Sequence, residues 1–222
     1  MKGLLPLVCL LGCSPADPPG TIASSAANHD RAVASAIAEA AAPRPSTPAD
    51  AAPSAAPTEP PCPAGFRCDA KVPADAAIDL ILVEKRAHRL SLVAGDAVAK
   101  TYSVALGSGG MGQKGYEGDK ITPMGRYTVT AVIKNTKWHT YLALDYPGPE
   151  DVSRYEALVA KGEAPSRVGA GSGIAIHGRR ADMVDGVHKL VDWTLGCVSL
   201  DNPEIDEVAS RVKKGTAVWI RE

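Results

Sequence analysis

The segment GIAIHGRRADMVDGVHKLVDWTLGCVSL, residues 173–200, carries the most informative residues of this 222-residue chain. A run of branched apolar residues ends at His177, and Thr194-Leu195-Gly196-Cys197 opens a second such run. Short runs of this kind predict β-strands. The segment therefore predicts a histidine at the end of one strand and a cysteine at the start of another.

This pairing of residue types suggests nucleophilic catalysis. A thiol becomes a strong nucleophile only as thiolate, so Cys197 needs a neighbour that can take its proton, and His177 suits that task near neutral pH. Gly196 lacks a Cβ and lets the backbone approach a substrate, as an oxyanion hole requires. These residues alone leave a second interpretation open, in which Cys197 is an inert core residue and His177 is structural.

The surrounding sequence from about residue 71 onward is that of a mostly β domain. Eight short apolar runs predict strands at 77–83, 89–93, 98–106, 126–133, 140–144, 173–176, 198–200 and 217–220. Two short helices are also predicted. One covers 150–161, and the other begins with Asn202 as N-cap and Pro203 at its first position, with Gly215 as its stop. Many short strands separated by turns favour a β sandwich or a barrel.

The N-terminal third has a different composition. Residues 1–13, MKGLLPLVCLLGC, resemble a bacterial lipoprotein signal that ends at an acylated Cys13, and an ordinary secretory signal is the alternative. Residues 14–61 are rich in Ala and Pro and predict a disordered linker, leaving 62–222 as the catalytic domain. Ser14 suggests, by resemblance to Gram-negative sorting signals, a lipid anchor in the outer membrane facing the periplasm. The net charge of −1 gives no reason to expect nucleic acid as a partner.

The five cysteines separate by position. Cys9 and Cys13 belong to the signal, whereas Cys62 and Cys68 lie close together and predict a small disulfide in an oxidising compartment. No metal site is expected, because two thiols without a nearby histidine are too few ligands for zinc. Cys197 is left over, and an unpaired cysteine in an exported protein is a liability unless it is buried or used.

Several motifs in order resemble one known family. From about Ile78 to Ile220 the chain resembles the L,D-transpeptidase catalytic domain of the YkuD family. That family carries a His-Gly step followed by Ser/Thr-x-Gly-Cys, matched here by 177–178 and 194–197. Ile121-Thr122-Pro123-Met124-Gly125-Arg126-Tyr127 is similar to its Thr-Pro-x-Gly-x-aromatic strand entry, and similar stretches stand at 192–193 and 201–207.

The resemblance implies a YkuD-like β sandwich that acts on peptidoglycan stem peptides, with no metal or organic cofactor. Cys197 would be the nucleophile, His177 the general base and Gly178 the residue whose carbonyl orients the imidazole. The amides of Leu195, Gly196 and Cys197 would hold the oxyanion. The cysteine would attack the bond between meso-diaminopimelate and D-Ala and pass the acyl group to an amine, as a 3,3 cross-link or a protein attachment, and carbapenem-type inhibitors could acylate it.

Two departures from the family pattern affect substrate contacts more than chemistry. Many members have His where this chain has Leu195, and Asn or Arg where it has Ser199. The backbone amides survive both changes. Two alternatives therefore stay open, a hydrolase of the same bonds (an L,D-carboxypeptidase) and a non-catalytic lipoprotein that binds peptidoglycan.

Other residues are weaker candidates. Arg179 and Arg180 could bind a stem-peptide carboxylate, or could be solvated charges. Thr194 is a candidate substrate contact. His188 could contact substrate or position the cysteine loop, but an exposed histidine in a polar loop is favoured. His139 is expected to be structural. The segment 107–118 lacks the ending of a phosphate-binding loop and is expected to be a mobile connection at the cleft edge.

Overall fold

The computed structural model describes residues 61–222, which form a mixed sheet of eight strands and two α-helices. The strands are β1 Leu80–Glu84, β2 Arg89–Ala94, β3 Ala97–Ser103, β4 Gly125–Thr136, β5 His139–Leu144, β6 Ala175–His177, β7 Val198–Ser199 and β8 Ala217–Arg221. The helices are α1 Pro149–Ala160 and α2 Asn202–Arg211, and one turn of 3₁₀ helix covers Val187–Lys189. The prediction of a mostly β fold with two short helices is confirmed.

The sheet has the strand order β3-β2-β1-β8-β4-β5-β6-β7. The pairs β1–β8 and β6–β7 are parallel, and all other neighbours are antiparallel. The long strand β4 joins the two halves, because residues 125–128 pair with β8 and residues 129–136 pair with β5. Apolar side chains from both halves and from α2 then form one buried cluster, which includes Ile81, Leu92, Leu142, Ile176, Val198, Ile205 and Val218.

Helix α2 begins directly after β7. Asp201 is its N-cap residue, and the Asp201 amide donates to the carboxylate of Glu204 at 3.0 Å. The predicted cap at Asn202 is thus wrong by one residue. The predicted end at Gly215 is wrong as well, because Val212 adopts an extended conformation and packs into the core, so the helix ends at Arg211.

The chain after β3 returns to the other end of the sheet. Ala105 and Ser199 exchange two backbone hydrogen bonds of 3.0 and 2.9 Å, and Gly107 bridges to Thr194. The Ser108 amide also donates to the Thr194 carbonyl at 2.9 Å. This segment fixes β7 and the turn that precedes it from the side opposite β6.

The start of the described chain is bound to the first half of the sheet. Cys62 and Cys68 form a disulfide with an S–S distance of 2.19 Å. The Glu84 carboxylate pairs with Arg89 and, at 2.8 Å, with Arg221. The Arg89 guanidinium also donates to the Pro61 carbonyl, and the Arg221 guanidinium donates to the Ala64 carbonyl. Within residues 61–222, no helix is long and apolar enough to cross a bilayer. The predicted signal, the lipidation site Cys13 and residues 14–60 of the predicted linker lie outside the described residues.

Candidate active site

His177 and Cys197 come together because β6 and β7 are parallel neighbours. Ile176 pairs with Val198 and His177 with Ser199. Continuing this register by one residue places Cys197 beside Ala175, on the face that carries His177, since side chains alternate along strands. The opposite face of both strands, with Ile176 and Val198, is buried in the core. Two residues that are 20 positions apart in the sequence thus share one surface of the sheet.

The imidazole of His177 is held in a defined orientation. Its Nδ1–H donates to the Gly178 carbonyl at 2.6 Å, which directs Nε2 away from that carbonyl as the proton acceptor. The ring stacks on Tyr141, with centroids 6.1 Å apart, and packs against Trp138 and Trp193 at 4.9 and 5.9 Å. These contacts restrict the ring to a narrow range of positions, as general-base catalysis requires.

Gly178 is a position where only glycine fits. A Cβ there would lie 2.5 Å from Oδ1 of Asn202 and 3.0 Å from the Trp138 carbonyl. The Gly178 amide donates to the Thr140 carbonyl at 3.0 Å, which continues the pairing of β6 with β5. The His-Gly step therefore serves two purposes. The glycine carbonyl orients the histidine, and the missing side chain lets α2 pack directly behind it.

The thiol of Cys197 is enclosed although the residue is partly exposed. Burial raises the pKa of this thiol to about 11, while the Ala175 amide and the Lys114 ammonium act in the opposite direction. Sγ also lies 3.6 Å from the Gly173 carbonyl, at the range of a weak S–H hydrogen bond. The thiol is therefore protonated in the resting protein at neutral pH, and nucleophilic attack needs a base. Ala175 and Lys114 were not among the residues singled out from the sequence.

The turn before Cys197 is organised by Thr194. Its buried hydroxyl donates to the Cys197 carbonyl at 2.7 Å and accepts the Gly196 amide at 3.2 Å. Thr194 therefore shapes the turn, and its hydroxyl is not available for the substrate contact predicted from the sequence. The Gly196 amide is likewise engaged inside the turn, which removes it from the predicted set of three oxyanion donors. The amides of Leu195 and Cys197 stay predictions.

Gly196 has a conformation and surroundings that require glycine. Its φ is +130°, and a Cβ would lie 2.9 Å from both the Ile121 carbonyl and Cδ1 of Ile174. Two segments thus approach this turn closely. Ser199, at one of the two departures from the family pattern, is fully buried.

The two arginines after His177 are engaged with carboxylates of their own loop. Arg179 forms a two-point pair with Asp185, at 2.5 and 3.2 Å, and Arg180 pairs with Asp182 at 2.9 Å through two nitrogens. A stem-peptide carboxylate would have to compete with these intramolecular partners. The geometry favours a role for both arginines in shaping the 179–185 loop over the predicted role in substrate binding.

The expectation that His188 is exposed is wrong. Its side chain is only 1% exposed, its Nε2 lies 2.8 Å from Oδ1 of Asp201, and its ring meets the edge of Trp193 at 6.1 Å. Burial lowers the pKa of His188 below its usual value, against the opposing effect of Asp201. The partners of His188 are Asp201 and Trp193, so His188 supports the packing of Trp193 beside His177. This role was not evident from the sequence, because Asp201 lies in a different segment.

His139 is at the first position of β5, and its Nε2 lies 2.7 Å from Oδ2 of Asp206 in α2. The contact ties β5 to the helix, as expected of a structural histidine. Within residues 61–222, no group of three or more His, Cys, Asp or Glu side chains is placed to hold a metal ion.

The glycine-rich segment 107–118 is firmly held, and the expectation that it is mobile is wrong. The Gln113 side chain donates to the Met124 carbonyl at 2.7 Å and accepts the Met124 amide at 2.6 Å. The buried ammonium of Lys85 donates to the carbonyls of Gly112 and Thr122. Asp119 accepts several backbone amides and the Lys114 ammonium. Composition alone did not reveal this network, because its partners are distant in sequence or specific to the turn.

Comparison with known proteins identifies the family. Residues 78–220 match the YkuD family, described as the L,D-transpeptidase catalytic domain, and this match covers more than half of the chain. The protein belongs to this family of enzymes, and the resemblance seen in the sequence is confirmed. No match was found among curated proteins.

Solved structures with a similar fold come from several bacteria. The helical cell shape determining protein Pgp2 from Campylobacter jejuni is 22% identical with a TM-score of 0.48, and the alignment covers 67% of this chain and 49% of that one. An L,D-transpeptidase from Xylanimonas cellulosilytica is 15% identical with a TM-score of 0.42, with coverages of 67% and 63%. L,D-transpeptidase 3 from Mycobacterium tuberculosis, in complex with a faropenem-derived adduct, is 12% identical with a TM-score of 0.43, with coverages of 64% and 60%. The aligned part spans about half of Pgp2 and less than two thirds of the other two proteins.

Proposed function

We propose that this domain is a peptidoglycan L,D-transpeptidase in which Cys197 is the nucleophile and His177 the general base. The observation that carries the proposal is the position of both residues on one face of β6 and β7, with the imidazole held by the Gly178 carbonyl at 2.6 Å. Because burial raises the pKa of this thiol to about 11, a nucleophilic Cys197 would need a base at neutral pH, and His177 is assigned that role.

The reaction proceeds in two acyl-transfer steps. Nε2 of His177 takes the Sγ proton, and the thiolate attacks the carbonyl carbon between meso-diaminopimelate and D-Ala. The resulting oxyanion is held by the amides of Leu195 and Cys197, which belong to the backbone and do not depend on the Leu195 side chain. Collapse breaks the C–N bond, the imidazolium protonates the leaving amine, and D-Ala departs from the thioester.

The second step regenerates the thiol. An acceptor amine loses a proton to His177 and attacks the thioester carbonyl, and Cys197 leaves as thiolate and is reprotonated. An amine from a second stem peptide gives a 3,3 cross-link, and an amine from a protein gives a protein attachment. Water at the same place gives hydrolysis, so the position of the acceptor decides between a transferase and an L,D-carboxypeptidase.

Two measurements test this proposal. The first follows D-Ala release from a disaccharide tetrapeptide, with and without an amine acceptor; a new amide product in the presence of acceptor is expected. Equal release without such a product would assign a carboxypeptidase. The second is the intact mass of the purified protein after incubation with a carbapenem, whose strained β-lactam carbonyl should acylate Cys197. An unmodified mass together with no D-Ala release would favour the non-catalytic, peptidoglycan-binding alternative.

We further propose that the domain works in the periplasm on a lipid tether at Cys13, anchored in the outer membrane. The support is the sequence of residues 1–14 and the Ala/Pro-rich composition of 14–61, since a flexible coil lets an anchored domain reach a polymeric substrate. Detergent-phase partitioning should be lost in Cys13→Ala, and partitioning that does not change would refute the anchor. Membrane fractionation tests which membrane holds it.

A further inference from the structure

A buried lysine that the mechanism does not use lies close to the cysteine site. The Lys114 residue is 4% exposed, and its ammonium donates to Oδ1 of Asp119 at 2.6 Å and to the Tyr116 carbonyl at 3.0 Å. Burying an ammonium is unfavourable unless it is paired and hydrogen-bonded. The ion pair and the hydrogen bond therefore keep the Lys114 charge in one place. Its burial also prevents Lys114 from acting as a surface contact for substrate.

The segment that holds Lys114 forms a wall of the turn before Cys197. A Cβ on Gly107 would lie 2.1 Å from the Lys120 carbonyl and 3.0 Å from Cα of Gly196, and the Ile121 carbonyl closes on Gly196 from the same segment. Asp119 fixes this wall by accepting the Gly115 amide at 2.7 Å and the Ile121 amide at 3.0 Å. The Lys114–Asp119 pair is therefore rigidly connected to the cysteine turn.

Lys114 also contacts the segment just before β6, and this segment in turn contacts the thiol. Its Cε is 3.5 Å from the position that a Cβ on Gly171 would take, and the carbonyl of Gly173, two residues later, is 3.6 Å from Sγ of Cys197. The positive charge of Lys114 acts on the thiol from this side and favours its ionised form.

We propose that Lys114 is a positioning residue for acyl transfer, whose ammonium, fixed by Asp119, stabilises the Cys197 thiolate without contacting substrate. The inference rests on the proposed function in one respect, namely that Cys197 is the nucleophile. It assigns to the glycine-rich segment 107–122 an electrostatic task in addition to its structural one. The other titratable groups around the thiol are His177 and Tyr141, and burial together with the Cys197 charge raises the pKa of Tyr141 to about 12.

The test measures the rate of Cys197 alkylation by iodoacetamide against pH, on the full chain, by mass spectrometry of the peptide that contains Cys197. Lys114→Gln keeps hydrogen-bond donors but removes the charge, and should shift the profile to higher pH by a fraction of a unit, which is a loss of rate below the midpoint of less than about tenfold. Lys114→Arg keeps the charge and should leave the profile in place.

Lys85→Gln is the matched control, because Lys85 is also buried and binds the same segment through the carbonyls of Gly112 and Thr122. It should lower the melting temperature but leave the profile unmoved. An unmoved profile in Lys114→Gln, or an equal shift in Lys85→Gln, would overturn the inference. If Lys114→Gln does not fold, Lys114→Met, which also removes the charge, is measured instead, and an unmoved profile overturns the inference. A parent protein whose Cys197 is not alkylated at any pH would instead overturn the proposed function itself.

Discussion

Replacement of His177 by Ala should show how fast the Cys197 thiol reacts without its proposed base. With a thiol pKa of about 11, only about one molecule in ten thousand carries a thiolate at pH 7. In His177→Ala the alkylation rate at neutral pH should therefore be small and should rise about tenfold per pH unit until the thiol titrates. General-base assistance contributes about a hundredfold to ten-thousandfold, so the parent protein should exceed the variant by a factor in that range near neutral pH.

The assay is alkylation of Cys197 by iodoacetamide between neutral and alkaline pH, accompanied by D-Ala release from a disaccharide tetrapeptide. Cys197→Ser should show no alkylation at this position and no detectable release, because a hydroxyl is far less acidic than a thiol. His139→Ala is the matched control, since His139 binds Asp206 of α2 and should leave both rates unchanged. Coincident pH profiles for the parent and His177→Ala, with both proteins folded in a thermal melt, would refute the assignment of His177 as base.

Three further changes have defined outcomes. Gly178→Ala should lower the free energy of unfolding by about 1–3 kcal/mol in denaturant titration and reduce D-Ala release. The reason is that the new Cβ would lie 2.5 Å from Oδ1 of Asn202. Full activity and stability would contradict the packing described. Burial opposes ionisation of Glu84, but hydrogen bonds and ion pairs with two arginines outweigh it and hold the pKa of this carboxyl below its usual value. Its stabilising contribution is therefore complete above the ordinary pKa of a glutamate and is lost as pH falls through the lowered pKa. The deficit in melting temperature of Glu84→Gln at neutral pH should shrink on acidification, and a deficit that grows would contradict this sign. Thiol counting under denaturing, non-reducing conditions on the chain from residue 61 onward should find one free thiol, and three would refute the Cys62–Cys68 disulfide.

The parts of the fold that depend on local pattern could be predicted from the sequence. All eight predicted strands are present, with ends that differ by a few residues, because branched apolar runs bounded by turn residues define strands locally. One such difference is at β3, which ends at Ser103 although the apolar run continues to Leu106. The reason is tertiary, since residues 105 and 107 leave β2 and bridge to the segment around Cys197.

The motif residues of the site could be predicted from the sequence, but the contacts that hold those residues in place could not. His177, Gly178 and Cys197 stand in recognisable sequence steps, and the structure brings them together through the register of β6 and β7. The burial of His188 depends on Asp201, which lies 13 positions away, and the engagement of the Gly196 amide depends on how the Thr194 hydroxyl turns. Such choices among possible partners are made by packing, so periodicity carries no information about them.

The buried position of Lys114 was missed for a different reason. A lysine in a glycine-rich segment is usually solvated, and composition gave no reason to place it in the interior. The signal that could have found it is Asp119 five residues later, between glycines that permit a tight turn, because such spacing lets a carboxylate collect backbone amides and a lysine together.

The backbone exchange between Ala105 and Ser199 limits how a peptide substrate can enter. A two-residue terminal strand would ordinarily expose a row of unpaired amides and carbonyls to which an extended peptide can add as a further strand. Here β6 occupies one side of β7 and the Ala105 segment occupies the other, with hydrogen bonds of 3.0 and 2.9 Å. A peptide therefore cannot add to β7 as a further strand. Under the proposed function, a stem peptide would be bound instead by side chains and turn amides around the thiol, a mode of recognition that does not impose the strand geometry of L-residues and would accommodate a substrate that ends in a D-amino acid.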